Sequence, residues 1–151
     1  MYQFTVKAFN DLTVVELYAI LQLRESIFVV EQNCVYHDID GMDGDCFHVY
    51  ATELDTQEII AYARLVPAHI KFDVPSIGRV ITHKKHRGNG LGKALMVKAI
   101  DEIHQKFNSN NIKISAQTYL HRFYSGLGFI AISDAYDEDG IEHVDMILNL
   151  D

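Results

Sequence analysis

A mixed α/β fold, a sheet with helices on both faces, is predicted by three observations on this 151-residue chain. Several short runs rich in Val, Ile, Tyr and Phe alternate apolar with polar residues, the period of a half-buried strand. Two longer stretches, one ending near Glu31 and one beginning near Gly90, carry apolar residues at helical spacing instead. Breaks rich in Gly, Asn, Asp and Pro separate these segments into the order β-α-β-β-β-α-β-α-β-β. With 48% hydrophobic residues, no repeat and no visible linker, residues 1–151 read as a single domain around one core.

The alternation from Tyr2 to Phe9 predicts an edge strand. Thr13-Val14-Val15-Glu16 has the spacing of a capping box, in which hydroxyl and carboxylate each accept a backbone N–H of the other residue. It opens a helix predicted to run to about Glu31. Phe47 to Leu54 and Glu58 to Pro67, joined by the polar turn Asp55-Thr56-Gln57, predict a hairpin. Pro67 and Pro75 bracket a loop before a strand from Ser76 to His83. A second helix follows from Leu91 to Phe107 and stops at Asn108-Ser109-Asn110-Asn111. The strand Ile112 to Gln117, a short helix near Tyr119 to Leu127, and strands around Phe129 to Ile132 and His143 to Leu148 complete the chain.

Between the strand Ser76 to His83 and the second helix lies the most informative segment, Arg87-Gly88-Asn89-Gly90-Leu91-Gly92. A glycine turn entering a helix leaves backbone N–H groups unpaired and converging at the positive end of the helix dipole, a cradle for an anion such as phosphate. Arg87 and Lys93 add charge at its two ends, after the basic run His83-Lys84-Lys85-His86. A P-loop would need glycine in place of Arg87 and Ser or Thr in place of Ala94. A dinucleotide loop would need G-x-G-x-x-G in an early βαβ unit, whereas these glycines run G-x-G-x-G in mid-chain.

The remaining pattern, R-x-x-G-x-G between a strand and a long helix, resembles the pyrophosphate-binding motif of the GNAT N-acetyltransferases. Gln117-Thr118-Tyr119-Leu120-His121-Arg122-Phe123-Tyr124-Ser125-Gly126-Leu127-Gly128-Phe129 is similar to the second signature of that superfamily. The run from Leu23 to Gln32, with Asp38-Ile39-Asp40-Gly41 and the segment from Tyr136 to His143, resembles its ElaA-like branch. The resemblance implies a splayed central sheet with acetyl-CoA wedged between the strand before the glycine turn and the strand after the long helix. It places the pantetheine arm along Val80, Ile81 and Thr82, and the pyrophosphate on Arg87, Gly88, Asn89, Gly90, Leu91, Gly92 and Lys93. Gln117 stands where relatives usually carry an asparagine that contacts the cofactor.

Acetyl transfer to an amine needs a deprotonated amine, a stabilised thioester oxygen and a proton for the departing thiolate. Tyr124 matches the family tyrosine that acts as general acid. Many relatives carry a carboxylate base on the strand before the glycine turn, but Ser76 to His83 contains neither Asp nor Glu. His143 is the candidate base instead, because its H-x-x-M pattern with Met146 resembles relatives in which this histidine has that role. Glu31 and Glu142 are reserves acting through water. Leu17, Leu21, Arg24 and Phe28 share a helical face, so a guanidinium interrupts an apolar stripe and needs a partner. That partner is either an acidic neighbour or, since the first helix of the family borders the acceptor pocket, a substrate carboxylate. Tyr62 and Arg64 alternate onto one strand face and are expected to line the same pocket. Arg79 joins them only if a bulge interrupts its strand, since alternation otherwise sets it opposite Val80.

Thirteen basic against twenty-one acidic residues, a net charge of -8, argue against sequence-independent nucleic-acid binding. No apolar run approaches a membrane span and Met1-Tyr2-Gln3-Phe4 lacks the charged start of a secretion signal, so a cytoplasmic location is expected. Cys34, Cys46, His37 and His48 match no common zinc spacing, and no metal is expected. The expected activity is direct acetyl transfer from acetyl-CoA to a small amine that also bears an anionic group, by a monomer or homodimer. No cysteine lies in either motif, which weighs against a covalent acetyl-cysteine route. A module that binds acetyl-CoA without turnover and a transferase of longer acyl groups stand as alternatives.

Overall fold

A computed structural model describes residues 1–150. Strands β1 (Tyr2–Ala8), β2 (Phe47–Glu53), β3 (Ile59–Val66) and β4 (Ser76–Thr82) pair antiparallel in that order. In a second sheet β5 (Asn111–Gln117) pairs antiparallel with one edge of β8 (Ile141–Asn149). The other edge of β8 takes β6 (Ile130–Ala131) and β7 (Tyr136–Glu138). The predicted order of elements is found with one addition, β7, whose Tyr-Asp-Glu sequence has no apolar alternation to announce a strand.

The two sheets meet at β4 and β5 and part at once. The Lys113 N–H donates to Pro75 O at 3.0 Å, and no ladder continues from there. Helix α2 (Leu91–Phe107) makes the crossover and buries Leu91, Leu95, Met96, Ala99 and Ile103 as one stripe against both sheets. It ends at Asn108, in the left-handed conformation that closes helices. On the opposite face of the first sheet lie Ile20, Leu23 and Ile27, packed on Tyr50, Tyr62 and Ile81. Because helices cover both faces, β3 is buried from Ile60 to Val66 without alternation.

The capping box forms as predicted: Glu16 N–H donates to Thr13 Oγ1 at 3.0 Å and Thr13 N–H to Glu16 Oε1 at 2.8 Å. The predicted helix reaches Glu31, but in two parts, α1 (Val14–Arg24) and then π-helical turns over Glu25–Glu31. The buried stripe is Ile20, Leu23, Arg24 and Ile27, at helical spacing but on a face turned from the predicted one, with Leu17, Leu21 and Phe28 only partly buried. Short helix α3 (His121–Ser125) follows β5. Among the described residues no helix is long and apolar enough to cross a membrane.

Two titratable groups, His48 buried and Glu16 half-buried, tie stability to pH. His48 is fully buried, with Nε2 3.0 Å from Asp43 O and Nδ1 2.6 Å from Tyr62 Oη. A carbonyl only accepts, so Nε2 carries the proton and Nδ1 accepts from the tyrosine. Burial lowers the His48 pKa below 6.5. Burial also acts to raise the Glu16 pKa, but hydrogen bonds from Thr13, Tyr50 and Lys7 outweigh it and bring it to about 2. Both folded-state values are depressed, so both groups contribute stability above their unfolded values that is lost as pH falls. The melting temperature should therefore decline in two stages, one beginning below 6.5 for His48 and one below 4.5 for Glu16. His48→Gln should remove the first stage only. A wild-type melting curve level down to about pH 5 would contradict a neutral buried imidazole.

Candidate active site

The gap between β4 and β5 opens into a cavity of about 1130 Å³. His83 N–H donates to Ile60 O at 2.7 Å, and Ile81 stands opposite Tyr62. Antiparallel alternation then turns the backbone groups of Ile81 toward β3 and those of Val80 and Thr82 into the gap. Ile81 is thus withdrawn from the expected cofactor edge: its backbone faces β3 and its side chain packs among Ile20, Leu23 and Tyr50. The Thr82 carbonyl is also occupied, accepting from Arg87 Nε at 3.0 Å.

Above this edge, Gly88 and Gly90 have φ of 83° and 85°, conformations that a side chain would strain, and a Cβ on either would meet nothing within 4 Å. The first helical bond runs from Ala94 N–H to Gly90 O at 3.0 Å, so the N–H groups of Gly92 and Lys93 ahead of it have no helical partner. Arg87, Gly88, Gly90, Gly92 and Lys93 border the cavity. Asn89 and Leu91 instead shape the turn: the Leu91 N–H donates to Asn89 Oδ1 at 3.3 Å, and the Leu91 side chain enters the core. Arg87 is engaged by Glu31 through Nη1 at 2.8 Å and Nη2 at 3.1 Å. At the end of β5 the Gln117 and Gln32 amides face each other at 3.3 Å.

Tyr124 borders the same cavity, its ring edge-on to Phe123 and Phe129. Burial raises its pKa, so its hydroxyl holds its proton at neutral pH. His143 is 8% exposed and borders the cavity from β8. Its Nδ1 lies 2.7 Å from Ile141 O and therefore carries a proton, so that in the neutral imidazole the lone pair is on Nε2. Nε2 faces Glu138 Oε2 at 3.5 Å, and the Tyr136 ring stacks against the imidazole. Glu142 stands away from the cavity lining and accepts from Thr118 Oγ1 at 2.8 Å.

Arg24 proves structural, which corrects the expectation that it grips a substrate. Its fully buried guanidinium donates to Asp38 Oδ2 at 2.9 Å, to Asp43 Oδ1 at 2.7 Å and to Asp38 O at 2.9 Å. The acidic neighbour that the sequence offered as the alternative is thus a pair of aspartates. Tyr62 is corrected likewise, being fully buried with its hydroxyl on His48. Arg64 and Arg79 do border the cavity. Arg64 holds Asp40 with two nitrogens, at 2.8 and 2.9 Å, and Asp43 at 3.1 Å. The bulge on which Arg79 depended is present: Tyr62 to Arg64 faces Ile81 to Gly78, one residue longer, with Arg79 at φ 51°. Its guanidinium reaches Asp38 at 2.8 Å and Asp40 at 3.2 Å and lies over the rings of Phe28 and Tyr36. Burial acts to raise the pKa of Asp40 and Asp43, but the arginines outweigh it and hold both below the usual carboxylate range.

Several cavity residues carried no signal in the sequence, among them Gln32, Tyr36, Lys71 and Glu138. The density of aspartates from Asp38 to Asp45 was the one available sign that nearby arginines had partners of their own. Cys34 and Cys46 are not gathered with histidines: Cys34 Sγ donates to Asp139 O at 3.1 Å and Cys46 Sγ to Met42 O at 3.2 Å.

An open strand edge leading to an anion cradle suits an extended guest that ends in phosphate, and the class of protein is acyl transferase acting on acyl-CoA. Residues 19–150 match the acetyltransferase (GNAT) domain, and the chain belongs to that family, in its ElaA-like branch of N-acetyltransferases. It is 41% identical to protein ElaA of Escherichia coli strain K12 over 139 residues, 91% of this chain and 90% of that one. The crystal structure of an acyl-CoA N-acyltransferase from Pseudomonas aeruginosa matches with a TM-score of 0.91 at 38% identity, over 98% of this chain and 99% of that one. The crystal structure of Escherichia coli ElaA also gives 0.91, at 37% identity, over 99% and 100% of the two chains.

Arg24→Gln should cost about 3–5 kcal/mol of stability in urea unfolding, because it takes from two buried carboxylates the one of their two arginines that is fully buried. A loss below about 1 kcal/mol would show the network to be dispensable. Gly90→Glu should abolish the rise in melting temperature that an acyl-CoA produces in the wild type, since a carboxylate would occupy the cradle. An undiminished rise in that variant would move the phosphate site elsewhere.

Proposed function

We propose that the chain carries an acetyl group from acetyl-CoA directly to the amine of a small acceptor, with His143 as base and Tyr124 as acid. The observation that supports it best is the tautomer of His143, whose Nδ1 is fixed on Ile141 O while Nε2 is left to accept a proton. Bound acetyl-CoA supplies the acetyl group in activated form, as a thioester. The N–H groups of Gly92 and Lys93 and the glycine turn suit its pyrophosphate, and the outward backbone groups of Val80 and Thr82 suit its pantetheine arm.

An acceptor amine arrives protonated at neutral pH and loses a proton to His143 Nε2 before it can attack. The imidazolium so formed faces the Glu138 carboxylate at 3.5 Å, an attraction that exists only in the charged form. Glu138 is in this reading a positioning residue. The Tyr124 hydroxyl, kept protonated by burial, supplies the proton to the departing sulfur. Glu31 is less suited to the base role while Arg87 engages both its oxygens. Direct transfer is favoured because the Cys34 thiol is turned to a carbonyl and burial pushes the Cys46 thiol up to about 11, away from thiolate.

Tyr124→Phe should lower kcat roughly 100-fold or more with little change in donor affinity. Wild-type turnover should rise with pH through an ionisation that is absent in His143→Ala, whose residual activity climbs toward high pH as the acceptor loses its own proton. A wild-type rate and pH profile in His143→Ala would eliminate this histidine.

A further inference from the structure

We infer that the acceptor is an amine with a carboxylate at its far end, and that Lys71 is the group that binds this carboxylate. The inference rests on the acetyl-transfer reading above. It begins from the cations that border the cavity: Arg64, Lys71, Arg79, Arg87 and Lys93. Arg64 and Arg79 are neutralised by Asp38, Asp40 and Asp43, and Arg87 by Glu31. Among the described residues, neither Lys71 nor Lys93 has a carboxylate within ion-pair distance.

These two uncompensated charges lie off opposite ends of β4. Lys93 is in the first turn of the helix that follows the strand, beside the glycine cradle, while Lys71 is in the loop that precedes it. Seven residues of strand span about 20 Å, so one lysine cannot serve the other's ligand. Lys93 answers the pyrophosphate. Lys71 belongs to the acceptor half of the cavity, where Ser115, Glu138 and His143 also lie. A second observation points to the same half: the one buried side-chain polar atom without a partner among the described residues is Nε of Arg64, in the wall of this region. The exposed Lys71 ammonium has no fixed counter-ion, and the Arg64 guanidinium, though paired with Asp40 and Asp43, keeps one nitrogen without an acceptor, so this end has donors free for an anion.

The loop that carries Lys71 is anchored. His69 N–H donates to Phe72 O at 2.6 Å, and the Phe72 ring is flanked by Lys71 Nζ at 5.3 Å and by Lys113 Nζ of β5 at 4.4 Å. Lys113 is in turn held by Asp145 of β8 at 3.7 Å. Lys71 therefore stands over the same sheet face that presents His143; partial desolvation lowers its pKa, with Glu138 and Asp145 opposing that shift and Arg79 and Arg64 adding to it. A ligand lying along that face meets a carboxylate and an imidazole at one end and an ammonium at the other. The complementary molecule has its amine at the first and its carboxylate at the second, the polarity of a zwitterionic aminocarboxylate.

The test compares straight-chain aminocarboxylates with their methyl esters as acceptors, assayed by thiol release from acetyl-CoA with wild type, Lys71→Gln and Lys71→Arg. Wild type should favour the free carboxylate roughly ten- to a hundredfold in kcat/KM, mainly through KM. Lys71→Gln should erase that preference while leaving the esters within about twofold, and Lys71→Arg should restore most of it. Equal rates with acids and esters in the wild type, or an equal loss on both in Lys71→Gln, would overturn the role of Lys71 and leave the transferase reading standing. No thiol release from any amine, although acetyl-CoA raises the melting temperature, would take down the transfer reading and this inference with it.

Discussion

The structure turns on the parting of β4 from β5. One hydrogen bond, from Lys113 to Pro75, joins two sheets that would otherwise continue as one. The apolar stripe of α2 keeps them together from below, so they splay without separating. Backbone groups along the gap then lack the partners that a ladder would provide, and such groups are costly to leave unsatisfied away from water. An extended guest with its own amides meets that need, and the glycine turn at the end of β4 directs the guest's charged end to the start of α2.

The other half of the cavity is organised by charge. Arg24, Arg64 and Arg79 meet Asp38, Asp40 and Asp43 in a network that crosses from α1 through the loop before β2 to β3 and β4. Planar guanidiniums suit this task because each can hold two acceptors at once, which an ammonium cannot do with the same geometry. The network fixes a long loop that has little regular structure of its own. It also holds Arg79 at a positive φ that costs a non-glycine residue about 1–3 kcal/mol, strain of the kind found where function overrides local preference.

What the sequence disclosed was mostly local. The capping box at Thr13 and Glu16, the stripe of α2 and the glycine turn each lie within a few residues, and periodicity or turn chemistry reports them directly. The partners of Arg24 lie 14 and 19 residues away across an irregular loop, so the sequence showed that a partner was required without showing which. The first helix buries Ile20, Leu23, Arg24 and Ile27, a second set of apolar residues at helical spacing, so periodicity alone did not choose between its two apolar faces. His143 was reached through resemblance, whereas Glu138 depends on β7 folding back on β8, a pairing invisible in three polar residues.

The bridge between Arg87 and Glu31 joins the two halves of the cavity. A phosphate that draws Arg87 into the cradle competes with Glu31 for one guanidinium, so the carboxylate serves as a placeholder for the anion it resembles. Filling the cradle would loosen the hold on Glu31, and emptying it would let the pair close again. Both groups are partly exposed, at 42% and 36%, so the exchange is shallow in energy and readily reversed. In the proposed reaction the exchange would set the sequence of entry, because a carboxylate freed by the donor would attract an ammonium to the cavity only after the donor had arrived.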